Sequence, residues 1–218
     1  MDDLSEKGLF EQEYFEKYYS DYNRQNPPKK LHFYRTLAEA AVSGEQNPRI
    51  LEIGCAFGKF LGSLNPGWRK CGMDISEFAI DRARKLVPDA RFSVASMPLI
   101  PFKESFDIIA AFDVLEHVPL LDQVLPAVEQ RLAPGGHFIF VVPVYDGPTA
   151  PLINFLDKDV THIHRRSRRF WLDWAGAHFK VDGWWGIYRY MSPFGYLHRP
   201  TRLLRWCTPA IAVVARKA

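Results

Sequence analysis

Apolar and polar positions along this chain alternate between two periods. Residues 4–22 (LSEKGLFEQEYFEKYYSDY) space Phe10, Tyr14, Phe15, Tyr18, Tyr19 and Tyr22 mostly by three and four, the repeat of one helix face. NPPKK at 26–30 interrupts this face, and residues 31–43 predict a second helix ending near Gly44. Short apolar runs then alternate with amphipathic stretches. They predict strands at 49–54, 69–74, 90–95, 106–112 and 137–142, and helices at 58–64, 76–86 and 121–132. Strands alternating with helices call for a parallel sheet with right-handed crossovers. Beyond Pro143 the pattern loosens. Residues 145–152 read as a loop, 167–176 as a helix, and 179–190 and 210–216 as strands separated by a long insert at 191–208. There is no internal repeat and no low-complexity segment.

The most informative stretch is RILEIGCAFGKF, residues 49–60. An apolar strand that ends in a glycine loop and opens a helix lets backbone approach a nucleotide closely. Asp74 ends a second apolar segment 20 residues after Gly54, where a carboxylate can accept from ribose hydroxyls. A dinucleotide fingerprint would need glycines at 54, 56 and 59, and Ala56 and Lys59 break it. The pattern present is E-x-G-x-x-x-G, with Glu52, Gly54 and Gly58. Taken alone, it also fits an ordinary strand-turn-helix of another α/β protein.

This pattern resembles motif I of the class I S-adenosylmethionine-dependent methyltransferases. GMDISEFAIDRAR (72–84), FSVASMPLIPFKESFDIIAAFDVLEHV (92–118) and LAPGGHFIFVVP (132–143) resemble the later strands and turns of that family, in the same order and spacing. The resemblance implies a Rossmann-like, doubly wound seven-stranded sheet, mostly parallel with an antiparallel edge strand. It implies one domain over 1–218, with a helical cap at 1–45, a cofactor core at 46–143 and an acceptor-side, sheet-completing part at 144–218.

The resemblance also assigns roles. The loop of Gly54, Cys55, Ala56 and Gly58 would pass beside the methionine part of S-adenosylmethionine, and Glu52 would contact its amino group. Asp74 would bind the ribose, or alternatively cap the helix starting near Ser76. Ile75 would pack on the adenine. Many relatives carry an acid where this chain has Ser96, so adenine recognition would rest more on backbone near Met97. Phe112 and Asp113 would lie under the sulfonium, where aromatic or polar groups stabilise a cation. His117, in LEHV, and His162 are candidate bases. LEHV resembles the quinone-biosynthesis and small-molecule branch of the family. Tyr14, Tyr18 and His164 are candidates for contact with the acceptor. Asp113, Glu116, His117 and His162 could together bind a divalent metal, but hydrogen bonding without a metal is the expectation.

Composition narrows the picture. The chain has 218 residues, 47% hydrophobic and 24% charged, as expected of one globular domain. Apolar runs reach only about eight residues, too short to span a bilayer, and the acidic N-terminus lacks a signal segment. Cys55, Cys71 and Cys207 form no C-x-x-C pair, so a reducing, cytoplasmic location is expected. The net charge of +3 hides an asymmetry. Residues 1–150 carry 16 Lys/Arg against 21 Asp/Glu, whereas residues 151–218 carry 12 against 4 and hold five of the six Trp after position 170. A peripheral membrane contact through this basic, Trp-rich third is a candidate, and a solvated basic face is its plain alternative. The reading is methyl transfer to oxygen or nitrogen of a small molecule, with lipid-, quinone- and sugar-linked acceptors as the candidates. The alternatives are nucleic-acid methylation through the basic third, or cofactor binding without catalysis. A nucleic-acid partner is disfavoured because no RNA-binding module and no N/D-P-P-Y/F motif accompany the basic run. No oligomeric state is legible.

Overall fold

The computed structural model describes residues 22–148, 150–157, 159–192 and 195–218. The aromatic stretch expected at the N-terminus, with Tyr14 and Tyr18, therefore lies outside the described residues except for Tyr22. The strands are β1 (Arg49–Ile53), β2 (Arg69–Asp74), β3 (Ala90–Val94), β4 (Phe106–Phe112), β5 (Leu132–Pro143), β6 (Lys180–Ser192), β7 (Gly195–Thr201) and β8 (Ala210–Arg216). The helices are α1 (Tyr22–Gln25), α2 (Pro28–Ala41), α3 (Lys59–Ser63), α4 (Glu77–Leu86), α5 (Leu121–Arg131), α6 (Ala150–Leu156) and α7 (Arg168–Gly176).

One sheet runs in the order β3-β2-β1-β4-β5-β8-β6-β7. Its first five members pair in parallel. β8 lies antiparallel between β5 and β6, and β7 is antiparallel to β6. Period-two alternation feeds two cores, as a sheet covered on both faces requires. Leu51, Ile109, Phe138 and Phe140 pack with α5 and with Trp171 of α7. Ile50, Ile108, Ile139 and Val141 face the other way, against Tyr34 and Leu37 of α2 and Phe60 of α3. Truncating one of these fully buried side chains, as in Ile109→Ala, would cost about 2–5 kcal/mol.

The sheet has eight strands, one more than expected. The extra one, β7, comes from the 191–208 insert. Tyr196 and His198 turn one way while Leu197 and Arg199 stay exposed, so a strand alternation was present beneath the proline-interrupted sequence. Pro200 is tolerated because β7 is the last strand of the sheet. A second departure is α6, which forms where Gly and Pro suggested a loop. Pro151 sits in its first turn, where a missing N–H costs little. Among the described residues, no helix is long and apolar enough to cross a membrane.

Candidate active site

A cavity of about 390 Å³ opens at the carboxyl-terminal edge of β1, β2 and β4. The chain turns into it through three left-handed residues, Gly54 (φ 66°), Ala56 (φ 43°) and Gly58 (φ 73°). A Cβ at Gly54 would come within 2.6 Å of the Val114 side chain, so glycine is needed there for space as well as for conformation. Ala56 has no such freedom, and Asp74 holds it in place. Asp74 Oδ2 accepts from the Ala56 amide at 2.8 Å, and Oδ1 accepts from the Ser76 amide at 3.0 Å. The cap of α4 is Ser76, whose hydroxyl accepts from Ala79 N at 3.2 Å. Asp74 thus ties the glycine loop to the start of α4 instead of capping it.

Gly54, Ala56, Asp74 and Ile75 line the cavity, and Ser96 and Met97 close it on the β3 side. The Ser96 hydroxyl donates to the Met97 carbonyl at 3.3 Å. Three expected cofactor residues do not line it. Glu52 is buried on the sheet face it shares with Ile50, and its Oε2 has no hydrogen-bond partner among the described residues. Burial, then the nearby Asp74, push its carboxyl well above the usual range. The Cys55 thiol is buried behind the loop beside Gly72, and burial pushes it up as well. Gly58 precedes α3, which has only five residues and so a weak axial dipole. The loop amides, rather than that helix, are left to meet an anion.

The opposite wall is built from side chains. Phe112 stacks on Tyr34 with ring centroids 4.2 Å apart. Asp113 follows in a left-handed conformation (φ 56°), its amide donating to Val141 O at 2.9 Å. Its carboxylate accepts from Arg189 Nη1 and lies 3.4 Å from Lys30 Nζ. Burial opposes ionisation, yet the two cations hold this carboxyl well below its usual range. Glu116 behaves in the opposite way. Burial and the negative Asp113 push it up to about 7, and its Oε2 has no partner among the described residues.

His117 and His162 both line the cavity, with ring centroids 4.7 Å apart. His117 Nδ1 lies 3.0 Å from the Thr161 carbonyl, which can only accept, so Nδ1 carries the proton and Nε2 is the basic nitrogen. Burial pushes this imidazole down, keeping it neutral near pH 7. His162 Nδ1 lies 2.8 Å from Asp157 Oδ2 and 3.0 Å from the Tyr145 hydroxyl, which itself donates to Asp157. Here too an acceptor on Nδ1 directs the basic lone pair to Nε2. Glu116, His117 and His162 each bring one ligand atom within 4.8 Å of the others. Carboxylate plus imidazoles is a donor set chemically suited to a divalent cation. His164 lies outside the cavity. Its Nε2 bonds to Val118 O at 2.8 Å and its amide to Glu116 O at 3.0 Å, fastening the 157–164 segment to the turn after β4.

Among the lining residues that sequence reasoning did not select are Tyr22, Lys30, Asp159, Arg189 and Tyr196. Lys30 sat in a segment read only as a helix breaker. Arg189 had a legible signal, a lone cation inside the apolar run WWGIYRYM. Tyr196 could be placed only once the insert was known to fold back as β7.

A family model described as "Methyltransferase domain" matches residues 22–204. The chain belongs to the methyltransferase domain family. Among curated methyltransferases, trans-aconitate 2-methyltransferase of Variovorax paradoxus is 31% identical over 124 residues, 55% of this chain and 45% of that protein. A ubiquinone biosynthesis O-methyltransferase of Azoarcus sp. is 29% identical over 122 residues, 51% of this chain and 52% of that protein. The match thus spans about half the length of these curated relatives. Among solved structures, the N-methyltransferase NodS of Bradyrhizobium japonicum, in complex with S-adenosyl-L-homocysteine, has a TM-score of 0.63 at 18% identity, covering 88% of this chain and 89% of its own. The PH0226 protein of Pyrococcus horikoshii has a TM-score of 0.67 at 19% identity, covering 95% and 99%. Both share the fold of this chain.

Proposed function

We propose that the protein transfers a methyl group from S-adenosylmethionine to a small-molecule acceptor, with a hydroxyl as the receiving group. The observation that carries this reading is a single cavity lined both by the Gly54–Ala56 loop with Asp74 and by the His117–His162 pair. The cofactor half fits a nucleoside. A loop whose first glycine cannot bear a Cβ exposes backbone, and a carboxylate stands at the end of the adjacent strand. S-adenosylmethionine, when bound, supplies an electrophilic methyl group on a cationic sulfur.

The residues of this chain supply binding, alignment and a base. Asp74 would hold the ribose hydroxyls, Ile75 and Met97 the adenine, and the loop amides the amino-acid end. Asp113, held between Arg189 and Lys30, orders that charged cluster at the cavity wall. His162, oriented by Asp157, takes the acceptor proton at Nε2, and His117 is the second base within reach. An orienting carboxylate on the far nitrogen is the arrangement that a base abstracting a hydroxyl proton needs. The names of the two curated relatives, O-methylation in ubiquinone biosynthesis and methylation of trans-aconitate, support small acceptors bearing oxygen.

Calorimetric titration with S-adenosylhomocysteine tests the first half of this reading. Wild type should bind at about micromolar affinity, as expected of a ligand that size in a buried cleft, and Asp74→Ala should not. Asp74→Asn, which keeps one acceptor for the Ala56 amide, separates loss of the ribose contact from collapse of the loop. No binding by folded wild type overturns the reading. Once binding is established, a panel of phenols, catechols and carboxylic acids assayed for S-adenosylhomocysteine release identifies the acceptor class.

A further inference from the structure

The basic C-terminal third divides into two unlike parts. In the run 165–169 most arginines are already engaged. Arg168 is buried, with Nε 2.9 Å from Asp146 Oδ1 and Nη1 donating to Arg205 O at 2.6 Å. Arg165 pairs with Asp157 and Arg169 with Asp173. Of this run, Arg168 is structural, whereas Arg165, Arg166 and Arg169 stay at the surface. Farther along the chain, Asp182 is the last acid, and Arg189, Arg199, Arg202, Arg205, Arg216 and Lys217 follow it. Arg199, Arg202 and Arg205 make no ion pair among the described residues. Arg202 stacks over Trp185 at 4.4 Å and Arg205 over Trp184 at 4.1 Å.

β7 and the turn after it, which carry these arginines, also display apolar side chains. Leu203 is 88% exposed, Trp206 56%, Leu204 55% and Leu197 53%. Large apolar groups so exposed and so close together mark an interaction surface. The turn is held rigidly. Arg168 binds the carbonyls of Arg205 and Thr208 from below, and Gly186 lets the turn lie against β6, where a Cβ would meet Arg205 Cα at 2.5 Å.

Its place in the sheet gives it a direction. β8 begins at Ala210 opposite Pro143, the last residue of β5, and β7 ends at Thr201 opposite Gly186. Residues 202–209 therefore sit at the same edge as the mouth of the cavity. Leu99 and Leu120, also exposed, follow β3 and β4 at that edge.

We propose that the end of β7 and the turn after it, residues 197–206, dock this edge onto an anionic membrane surface, with Leu203, Leu204 and Trp206 entering the headgroup layer and Arg199 and Arg202 meeting lipid phosphates. Charge complementarity selects this occupant. Arginines free of acids attract an anionic leaflet, and the leucines and the indole at their centre suit the interface between headgroups and acyl chains. Docked in this way, the cavity faces the bilayer, so an amphiphilic acceptor could reach it without crossing water. That last consequence rests on the transfer reading, whereas the docking itself does not.

The test is co-sedimentation with vesicles of phosphatidylcholine alone and of phosphatidylcholine with phosphatidylglycerol, with a titration of S-adenosylhomocysteine on the same sample. Wild type should pellet with the anionic vesicles, less so at high salt, and not with the neutral ones. Leu203→Asp with Leu204→Asp should weaken pelleting about tenfold or more. Arg199→Gln with Arg202→Gln should weaken it by a similar factor and remove most of the salt dependence. Neither pair should change S-adenosylhomocysteine binding, since none of the four lines the cavity. Wild type that binds S-adenosylhomocysteine but stays in solution with anionic vesicles overturns the docking and leaves the cofactor site intact. So does a gel shift with RNA that the arginine pair abolishes while vesicle binding is absent, or self-association through Leu203 and Leu204 in its place.

Discussion

The two walls of the cavity are made differently. The cofactor wall is mostly backbone. It consists of left-handed turns at Gly54 and Ala56, an amide-pinning carboxylate at Asp74, and strand ends in a fixed order. It is assembled from residues close in sequence, or one crossover apart. The wall proposed for the acceptor is mostly side chain. Lys30, Asp113, His117, His162, Arg189 and Tyr196 come from five separate segments and meet only in three dimensions. A backbone wall suits a ligand that never changes. A side-chain wall, supported by β6 and β7 at one end of the sheet, can be rebuilt for a new acceptor while the first wall stays as it is.

That contrast predicts different failures. The largest effect should come from the acceptor wall. His162→Gln should lower kcat about a thousandfold, the usual contribution of a positioned base, with S-adenosylhomocysteine affinity unchanged by calorimetry. His117→Gln should cost about tenfold if it is the auxiliary base. Equal losses in the two variants would make them one unit, and no loss in either would break the assignment of a base. The acid limb of the rate profile should fall below pH 6.5 where it reports His117, because burial lowers that imidazole from its ordinary 6.5.

Next should come the cofactor wall. Gly54→Ala puts a methyl into Val114 and an L-residue at φ 66°. Binding of S-adenosylhomocysteine should weaken about a hundredfold, and stability should fall by about 2 kcal/mol. If the variant instead binds normally and loses only turnover, the two walls are not separable.

A third effect lies between the walls. Glu116 has a folded pKa of about 7 against an ordinary 4.5, so the folded state holds a proton that the unfolded chain has already released. The sign follows. This group's contribution to stability is complete below pH 4.5 and is lost as pH rises toward 7. Glu116→Gln should flatten that fall, by about 3 kcal/mol at most over the interval. Subtracting variant from wild-type urea curves isolates it from His117, whose lowered imidazole acts in the opposite direction. The smallest effect should be a gain. Ser96→Asp supplies a charged acceptor on the β3 side and should tighten S-adenosylhomocysteine binding about fivefold.

The same contrast explains what was legible in the sequence. The ends of the strands in the cofactor half could be placed to within about a residue, because each apolar run ends at a residue with a distinct backbone or charge role, whereas β5 begins at Leu132, five residues before the expected start. Asp74 could be read as important before its two amide partners were known. The acceptor half was less open to reading. β7 was masked by Pro193 and Pro200, and Lys30 and Arg189 gained meaning only when Asp113 was found between them. His164 shows the limit in the other direction. It was chosen beside the neighbouring His162, yet its ring serves a backbone carbonyl instead of the cavity. Glu52 carries a related lesson, since its position in the motif is clear while its carboxyl faces the helix layer.

Asp113 combines a backbone conformation that costs about 1 kcal/mol for a non-glycine residue with a carboxylate shared by Arg189 and Lys30, whose side chains are 19% and 10% exposed. Replacing it with glycine would release the smaller quantity and strand two largely desolvated cations, a loss of about 3–5 kcal/mol. Single changes at this site are therefore closed to neutral drift even where the backbone would welcome them. Lineages that abandon Asp113 should be found to have abandoned Arg189 as well, the two disappearing together like a lock and its key.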